Sequence, residues 1–150
     1  MLALFNQKIK LGVSGRKHTF ATLENCISKH NKTIWMHCAS LGEFEQGLPV
    51  LQILKSEYPT YKIIVSFFSP SGYENKKNTD IADVVVYLPL DTTKKAKLFL
   101  DAAHPDLILF VKYEIWPNIL LEAKKRTIPS LLISATFKKS QPYFKWYGSL

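Results

Sequence analysis

Three short polar motifs follow β-rich runs of this chain, and each contains side chains that could bind a substrate or move a proton. They are Ser40-Leu-Gly-Glu43, Ser69-Pro-Ser-Gly72 and Glu114-Ile-Trp-Pro-Asn118. In an open parallel sheet, the carboxyl ends of the strands meet at one edge, where ligands bind. We therefore expect the three motifs to converge on a single site.

The first motif contains the candidate for acid–base chemistry. Glu43 lies at a strand–helix junction, within reach of a hydroxyl bound above the sheet, and could act as a general base. Gly42 lets the backbone approach a ligand, and Ser40 can cap the helix or donate a hydrogen bond. The alternative is that Glu43 is only a first-turn acid favoured by the helix dipole.

The second motif contains two hydroxyl groups at a predicted helix start. Ser69 and Ser71, together with backbone N–H groups near Gly72, could bind an anion or a sugar hydroxyl. The alternative is an ordinary N-cap with Pro70 at the first helical position.

The third motif combines an acid, an indole ring and an amide. Trp116 could be a packing anchor or an apolar wall for a ligand, and Asn118 a helix cap or a hydroxyl ligand. Glu114 lies at the carboxyl end of a predicted strand, on the same edge as Glu43. The motif therefore predicts mixed structural and binding roles.

Strands and helices alternate from Thr33 onward, which predicts right-handed βαβ units and a doubly wound, Rossmann-like parallel sheet of the α/β class. The predicted strands are residues 33–38, 61–68, 83–88, 107–113 and 130–134. The predicted helices are residues 44–58, a short one ending near 78, 92–103 and 117–126. The side chains expected to face the sheet are Leu48, Leu51, Ile53 and Leu54 in the first helix and Leu98, Phe99 and Ala102 in the third.

Composition excludes several classes of protein. The 150 residues, 47% of them hydrophobic, are enough for one domain with a core. Two cysteines give no disulfide framework, which favours a reducing, cytoplasmic compartment. GxGxxG and Walker A motifs are absent from the sequence, and four dispersed histidines predict no metal site. His37 and Cys38, on the first strand, are expected to face packed neighbours.

Residues 1–32, the basic arm, hold six Lys and Arg side chains against Glu24 alone, within a net charge of +8. Such a segment suits an anionic surface, either nucleic acid or phospholipid. The alternative is a solvated leader without a partner. An RNP1 signature is absent, so nucleic acid is not expected. Phe20, Leu23 and Ile27 could lie in a membrane interface or pack on the sheet, and packing is favoured.

The three motifs together, in this order and spacing, resemble the N-terminal half of 3-deoxy-D-manno-octulosonic acid (Kdo) transferases, from about Thr33 to the end of the chain. The resemblance implies a glycosyltransferase of the GT-B type, in which two Rossmann-like domains face a cleft. It implies transfer of Kdo from CMP-Kdo to a lipid A precursor at the cytoplasmic face of the bacterial inner membrane. The domain matched here would hold the acceptor and the base, and a C-terminal domain would hold the nucleotide sugar.

The resemblance also implies roles for single residues. Glu43 would take the proton from the acceptor hydroxyl, with inversion in one displacement, and Glu114 would orient the acceptor or support the site. The implied acceptor-binding residues are Ser40, Gly42, Ser69, Ser71, Gly72, Glu114, Trp116 and Asn118. Once a lipid acceptor is implied, the basic arm is expected to hold the protein peripherally on the anionic membrane through Lys8, Lys10, Arg16 and Lys17. No cofactor is expected besides the donor CMP-Kdo, which the C-terminal domain would bind.

Two features depart from the family pattern. Lys112 stands where many relatives have an acid, so the acidic pair is not carried over to this chain. Relatives also begin with a hydrophobic anchor and continue into a nucleotide-binding half, and neither is expected within these 150 residues. Residues 138–150, which carry several aromatic side chains, look cut in mid-element. We therefore expect a basic N-terminal arm and helix (1–32) and a Rossmann-like acceptor-binding domain (33–150), soluble but inactive without its C-terminal partner. The alternative function is a non-catalytic α/β binding domain whose basic face meets an anionic partner.

Overall fold

The computed structural model describes residues 2–112 and 114–135, with side chains described from Gln7 onward. The six helices of this part are α1 (Leu2–Arg16), α2 (Thr19–Cys26), α3 (Leu41–Glu57), α4 (Pro70–Lys76), α5 (Thr93–Ala103) and α6 (Pro117–Lys125). Its five strands are β1 (Thr33–Cys38), β2 (Lys62–Phe67), β3 (Val84–Tyr87), β4 (Leu107–Val111) and β5 (Ser130–Ile133). Residues 138–150, which the sequence singled out, lie outside the described residues, as does Tyr113.

The five strands form one parallel sheet in the order β3-β2-β1-β4-β5. β1 is central, with Ile34 opposite Ile63 of β2 on one side and opposite Leu107 of β4 on the other. All six residues of β1 are buried for that reason. The predicted Rossmann-like α/β fold is confirmed, and the strand order reverses between β1 and β4.

Two apolar layers cover the sheet. On one face, Leu23 of α2, Phe99 of α5 and Ile119 of α6 pack against Trp35 and its neighbours. On the other face, Phe44 and Leu51 of α3 pack in the layer that contains Met36. Neighbouring residues of β1 face opposite layers, as the pleat of a strand requires. The helices therefore hold the sheet from both sides and leave its carboxyl edge to the loops.

Two helical side chains that the sequence predicts to face the sheet are exposed instead. Ile53 is 63% exposed, because it lies two residues from the fully buried Leu51 and so on the other side of α3. Leu98 is 44% exposed, because α5 buries the stripe that contains Phe99 and Leu100 and leaves its flank to solvent. The helix α3 also begins at Leu41, before the predicted start at residue 44.

Residues 2–32 contain the helices α1 and α2. Leu23 and Ile27 are buried, and Phe20 packs against the same apolar layer. These three side chains therefore pack on the domain, as favoured from the sequence. In the described part of the chain, no helix has the length and apolar character that crossing a bilayer requires.

Candidate acceptor and base site

The site is the carboxyl edge of the sheet where the strand order reverses. Glu43 lies in the first turn of α3, which follows β1, and Glu114 follows β4, the strand next to β1. The loop after β2 is joined to this edge by a backbone hydrogen bond of 2.9 Å from Ser69 N to Ala39 O. The fold thus brings the three sequence motifs to one edge, at the position where open α/β sheets bind ligands.

The Glu43 carboxylate is anchored through one of its oxygens. Its Oε2 accepts hydrogen bonds from the backbone N–H groups of Ala39 and, at 3.2 Å, Ser40. Ser40 is the N-cap of α3, so these contacts stabilise the start of the helix as the structural alternative required. Both hydrogen bonds go to Oε2, and no described residue donates a hydrogen bond to Oε1. The cap therefore orients the carboxylate while leaving one oxygen for chemistry.

The environment of Glu43 disfavours its charged form. The residue is 8% exposed. Burial raises the pKa of Glu43, and the negative charge of Glu114 raises it further. The N–H groups of Ala39 and Ser40 and the charge of Lys112 lower it, but they do not cancel the increase. A carboxylate with a raised pKa is a stronger base than an ordinary glutamate.

Gly42 and Gly72 have different surroundings. A Cβ added to Gly42, which is exposed, would meet no atom within 4 Å. A Cβ on Gly72 would collide with the ring of Phe67, so Gly72 is required for packing of α4 on β2. Only Gly42 therefore leaves open space in which a ligand could approach the backbone.

The serines of the second motif form a helix cap. Ser69 Oγ accepts a hydrogen bond of 3.4 Å from Gly72 N, and it lies 2.9 Å from Ser71 Oγ. Pro70 occupies the first turn of α4. This is the capping arrangement that the sequence offered as the alternative, and the exposed Ser71 is the group best placed for a further partner.

The residues of the third motif are engaged internally to different degrees. Trp116 is half-buried, and its ring centroid lies 5.1 Å from that of Phe68 and 5.3 Å from that of His37. Asn118 Nδ2 donates to Asp91 O at 2.9 Å, and Asn118 Oδ1 accepts from Thr93 Oγ1 at 2.9 Å. Asn118 thus joins the start of α6 to Asp91 and Thr93. These bonds favour a structural role at the helix start over binding of a ligand.

Asp91 is a positioning residue that the sequence did not reveal. Its carboxylate accepts hydrogen bonds from the backbone N–H groups of Asn118 at 3.0 Å and Ile119 at 3.1 Å. It thereby caps α6 from the loop after β3. A local capping pattern could not have identified it, because the acid and the helix it caps are distant in sequence.

His37 is fully buried beneath the edge, next to Glu114. Its Nδ1 lies 2.8 Å from Ser66 Oγ, and its Nε2 lies 3.8 Å from Glu114 Oε2. Burial lowers the pKa of His37, although Glu114 opposes this effect. His37 and Cys38 face packed neighbours as predicted, but the contact with Glu114 was not foreseen. Burial and the charges of Glu43 and Glu114 raise the pKa of the Cys38 thiol, which disfavours thiolate chemistry.

Arg16 is bonded to the body of the domain, whereas Lys8, Lys10 and Lys17 are exposed. Its Nε donates to Leu88 O at 2.9 Å, its Nη2 donates to Phe68 O at 2.6 Å, and its guanidinium lies over the Phe68 ring. Arg16 therefore ties α1 to the loops after β2 and β3.

An apolar groove of about 370 Å³ lies beside these basic residues. Its lining residues are Val13, Arg16, Lys17, Phe20, Leu90 and Lys95. Ile9 and Val13 of α1 are 50% and 56% exposed. Basic and apolar side chains thus share one surface, which we call the α1 surface. Within residues 2–112 and 114–135, no three His, Cys, Asp or Glu side chains are grouped as metal ligands.

Comparison with known proteins gives consistent matches over most of the chain. A family model described as 3-deoxy-D-manno-octulosonic-acid transferase (kdotransferase) matches residues 14–148. The 3-deoxy-D-manno-octulosonic acid transferase of Aquifex aeolicus is 34% identical over 120 residues, which are 79% of this chain and 31% of that protein. The enzyme of the same name from Haemophilus influenzae is 34% identical over 104 residues, 68% of this chain and 24% of that protein.

A third relative has a second activity in its name. The bifunctional glycosyltransferase/methyltransferase of Fusobacterium nucleatum is 30% identical over 121 residues, which are 78% of this chain and 19% of that protein. The chain therefore spans less than a third of the length of each of these three relatives.

Proposed function

This chain belongs to the 3-deoxy-D-manno-octulosonic-acid (Kdo) transferase family, and from that premise we propose that it is the acceptor-binding, catalytic-base half of an inverting glycosyltransferase. The full enzyme, of the GT-B type, moves Kdo from CMP-Kdo to a lipid A precursor at the cytoplasmic face of the inner membrane. The nucleotide sugar binds mainly to a C-terminal domain. Both the reaction and the division of labour between the domains are part of the proposal.

The arrangement of Glu43 is the observation that carries this proposal. Two backbone N–H groups orient the carboxylate through Oε2, and burial together with Glu114 raises its pKa. The group lies at the reversal of strand order, where a bound acceptor would meet it. Orientation and basicity are the two properties that a general base requires.

The proposed reaction is a single displacement. Glu43 Oε1 accepts the proton of an acceptor hydroxyl while that oxygen attacks the anomeric carbon of Kdo. The bond between this carbon and the phosphate oxygen of CMP breaks, and CMP leaves with the bonding electron pair. Attack from the opposite face inverts the configuration, so one base is sufficient and no covalent enzyme intermediate forms.

The open backbone at Gly42 and the exposed Ser71 are the proposed acceptor contacts nearest the base. The space around Gly42 admits a sugar ring close to the start of α3. Ser71 lies on the adjoining loop, which the hydrogen bond between Ser69 and Ala39 holds against the Glu43 loop. Glu114 supplies negative charge beside the base.

The α1 surface is proposed to meet the membrane that contains the acceptor. Exposed Lys8, Lys10 and Lys17 suit phosphate groups, and the exposed Ile9 and Val13 suit the interfacial region. Arg16 connects this surface to the loops of the site through its bonds to Phe68 O and Leu88 O. Membrane contact and acceptor binding would then occur on adjoining parts of one molecule.

An NMR titration of the isotope-labelled chain tests the proposal. The chain is titrated separately with a detergent-dispersed lipid A precursor, with CMP-Kdo, and with an anionic phospholipid that has no sugar. Shifts around Ser40–Glu43 and Ser69–Gly72 with the precursor, but not with the phospholipid, are expected. Shifts with CMP-Kdo alone would mean that this domain binds the donor, and the proposed division of the reaction between the two domains would be wrong. Equal shifts with both lipids, confined to the α1 surface, would favour the non-catalytic binding domain.

A further inference from the structure

We infer that His37 is a positioning residue that holds the Glu114 carboxylate beside the base, at the end of a buried chain of contacts from Trp35 through Ser66. This inference rests on the proposed function, because it assigns a role within the same site. None of Trp35, Ser66 and His37 can reach a substrate, since all three are fully buried. They act on the site only through Glu114, whose side chain is 20% exposed.

The chain of contacts begins at an indole. Trp35 Nε1 donates to Ser66 Oγ at 2.8 Å, and Ser66 Oγ lies 2.8 Å from His37 Nδ1. Because an indole N–H can only donate, Ser66 accepts from Trp35 and has its own O–H free. His37 is opposite Ser66 in the β1–β2 register, so the contact is fixed by the sheet itself.

The Glu114 carboxylate then selects the tautomer of His37. If Nδ1 accepts the Ser66 O–H, the single proton of the neutral ring is on Nε2 and points towards Glu114. The other tautomer would place the Nε2 lone pair against carboxylate oxygens, which is repulsive. Burial of the ring favours its neutral form, consistent with the lowered pKa of His37. The geometry therefore favours an N–H donor aimed at Glu114.

The donor and the carboxylate are close, but they lie beyond hydrogen-bond distance. Nε2 lies 3.8 Å from Glu114 Oε2, about 0.9 Å beyond an ordinary hydrogen bond. Among the described residues, the buried Nε2 has no hydrogen-bond partner. A small rotation of the Glu114 carboxyl group would bring one of its oxygens within hydrogen-bond distance of this donor. The rings of Trp116 and Phe110 pack edge-on against the His37 ring, with centroids 5.3 Å and 6.3 Å away.

A fixed Glu114 matters because its charge acts on the base. The ionisable groups that the structure relates electrostatically to this pair of carboxylates are His37 and Cys38 of β1 and Lys112 after β4. Of these, His37 alone offers a buried N–H donor. If Glu114 turned away towards solvent, its effect on Glu43 would weaken.

The tautomer can be measured in the unmodified chain. Long-range ¹H–¹⁵N NMR spectra of the imidazole groups are expected to show His37 protonated on Nε2 and unprotonated on Nδ1 at neutral pH. Ser66→Ala is expected to shift the Nδ1 resonance. A proton on Nδ1, or on both nitrogens, would overturn the inference. This measurement does not depend on any enzymatic activity.

Two variants of His37 separate positioning from packing. The amide of Gln reaches the position of Nε2, whereas the shorter Asn reaches only that of Nδ1. In His37→Asn the ¹³C carboxyl titration of Glu43 is expected to move towards an ordinary glutamate, and in His37→Gln it is expected to stay near its original midpoint. Identical titrations in the two variants would overturn the inference.

Kinetics extend the comparison to function. In a chimera in which this chain replaces the matching part of the Aquifex aeolicus relative, His37→Asn is expected to lower kcat by roughly ten- to a hundredfold with little change in KM. His37→Gln is expected to recover most of the rate. A chimera without transfer activity would count against the proposed function, while the two NMR experiments would still decide the role of His37.

Discussion

Glu43 and Glu114 follow adjacent strands of the sheet, and burial together with the negative charge of Glu114 raises the pKa of Glu43. Like charges that share a site disfavour each other's ionised form. Lys112, whose φ of 64° turns the chain at the end of β4, opposes this effect on Glu43. The basicity of Glu43 is therefore set first by burial and then adjusted by two groups from the loop after β4, rather than by its own motif alone.

Glu43→Gln is expected to reduce Kdo transfer by at least about a hundredfold, because it removes the proposed base while an amide oxygen can still accept the Ala39 and Ser40 N–H groups. The rate is measured in the chimera with the Aquifex aeolicus relative. Glu45→Gln is the matched control, since Glu45 is two residues away and paired with Lys76 at 2.7 Å. Equal rates in the two variants would rule out Glu43 as the base.

The raised pKa of Glu43 also predicts a pH-dependent stability. Between the ordinary value of 4.5 and the raised value, the folded chain keeps a proton that the unfolded chain has released. The contribution of Glu43 to the free energy of unfolding therefore falls as pH rises through this window. Glu43→Gln cannot ionise, so its stability relative to the original chain should increase from pH 4 to pH 7. Urea unfolding at several pH values measures this difference, and a constant difference would contradict the prediction.

Gly42→Ala tests whether the open space at the start of α3 is used by the acceptor. The chain should fold normally and gain up to about 1 kcal/mol, since Ala is the better helix residue and its Cβ meets nothing within 4 Å. Affinity for the lipid A precursor should fall, because the methyl group would occupy part of the open space proposed for the acceptor. Unchanged affinity in the NMR titration would remove Gly42 from the site.

Gly47→Ala is the matched control for the glycine experiment. Its Cβ would lie 2.7 Å from Met36 Sδ and 3.0 Å from Val111 Cγ2, in the packed layer between α3 and the sheet. We expect destabilisation of about 1–3 kcal/mol from overpacking. Thermal unfolding of the two variants should therefore change in opposite directions.

Asp91→Ala should destabilise the domain by about 1–2 kcal/mol, since α6 loses an acceptor for two N–H groups of its first turn. Asp80→Ala, at an exposed acid, should change the free energy of unfolding by less than about 0.5 kcal/mol. Urea unfolding at neutral pH compares the two variants. Equal effects would show that the Asp91 cap is not important for stability.

The α1 surface predicts salt-sensitive binding to anionic vesicles. The double variant Lys8→Gln/Lys17→Gln should bind roughly 30-fold more weakly at low salt, at about 1 kcal/mol for each lysine. Lys29→Gln/Lys124→Gln removes the same charge from exposed positions elsewhere in the chain and is the control. Vesicle sedimentation measures both. Equal loss in the two variants would indicate an effect of net charge alone, and salt-independent binding would indicate apolar insertion.

Much of the fold could be predicted because its signals are local. Continuous apolar runs identified all five strands, and Ser69 and Pro70 identified the start of α4. The errors at Ile53 and Leu98 have a common cause, since an apolar side chain on a helix does not reveal which way the helix is turned. Neighbouring elements decide that, and they are distant in sequence.

For the site, the sequence predicted which motifs meet but not the contacts that hold them in place. The positions of Glu43 and Glu114 on one edge followed from the parallel sheet. The bonds of Arg16 to Phe68 O and Leu88 O, and the contact of His37 with Glu114, join segments that no sequence pattern relates. Such tertiary hydrogen bonds depend on strand register and helix placement, which become visible only in the folded domain.

The strand order also determines when the site forms as the chain folds. β1 pairs with β4 although β2 and β3 lie between them in sequence, and closing so long a loop has an entropic cost. A chain that has paired only β1, β2 and β3 can hold Glu43 on α3 but has no Glu114 beside it. The base and its neighbour are therefore completed in the same step as the central sheet. Hydrogen exchange at the β1–β4 ladder should thus follow the assembly of the site during refolding.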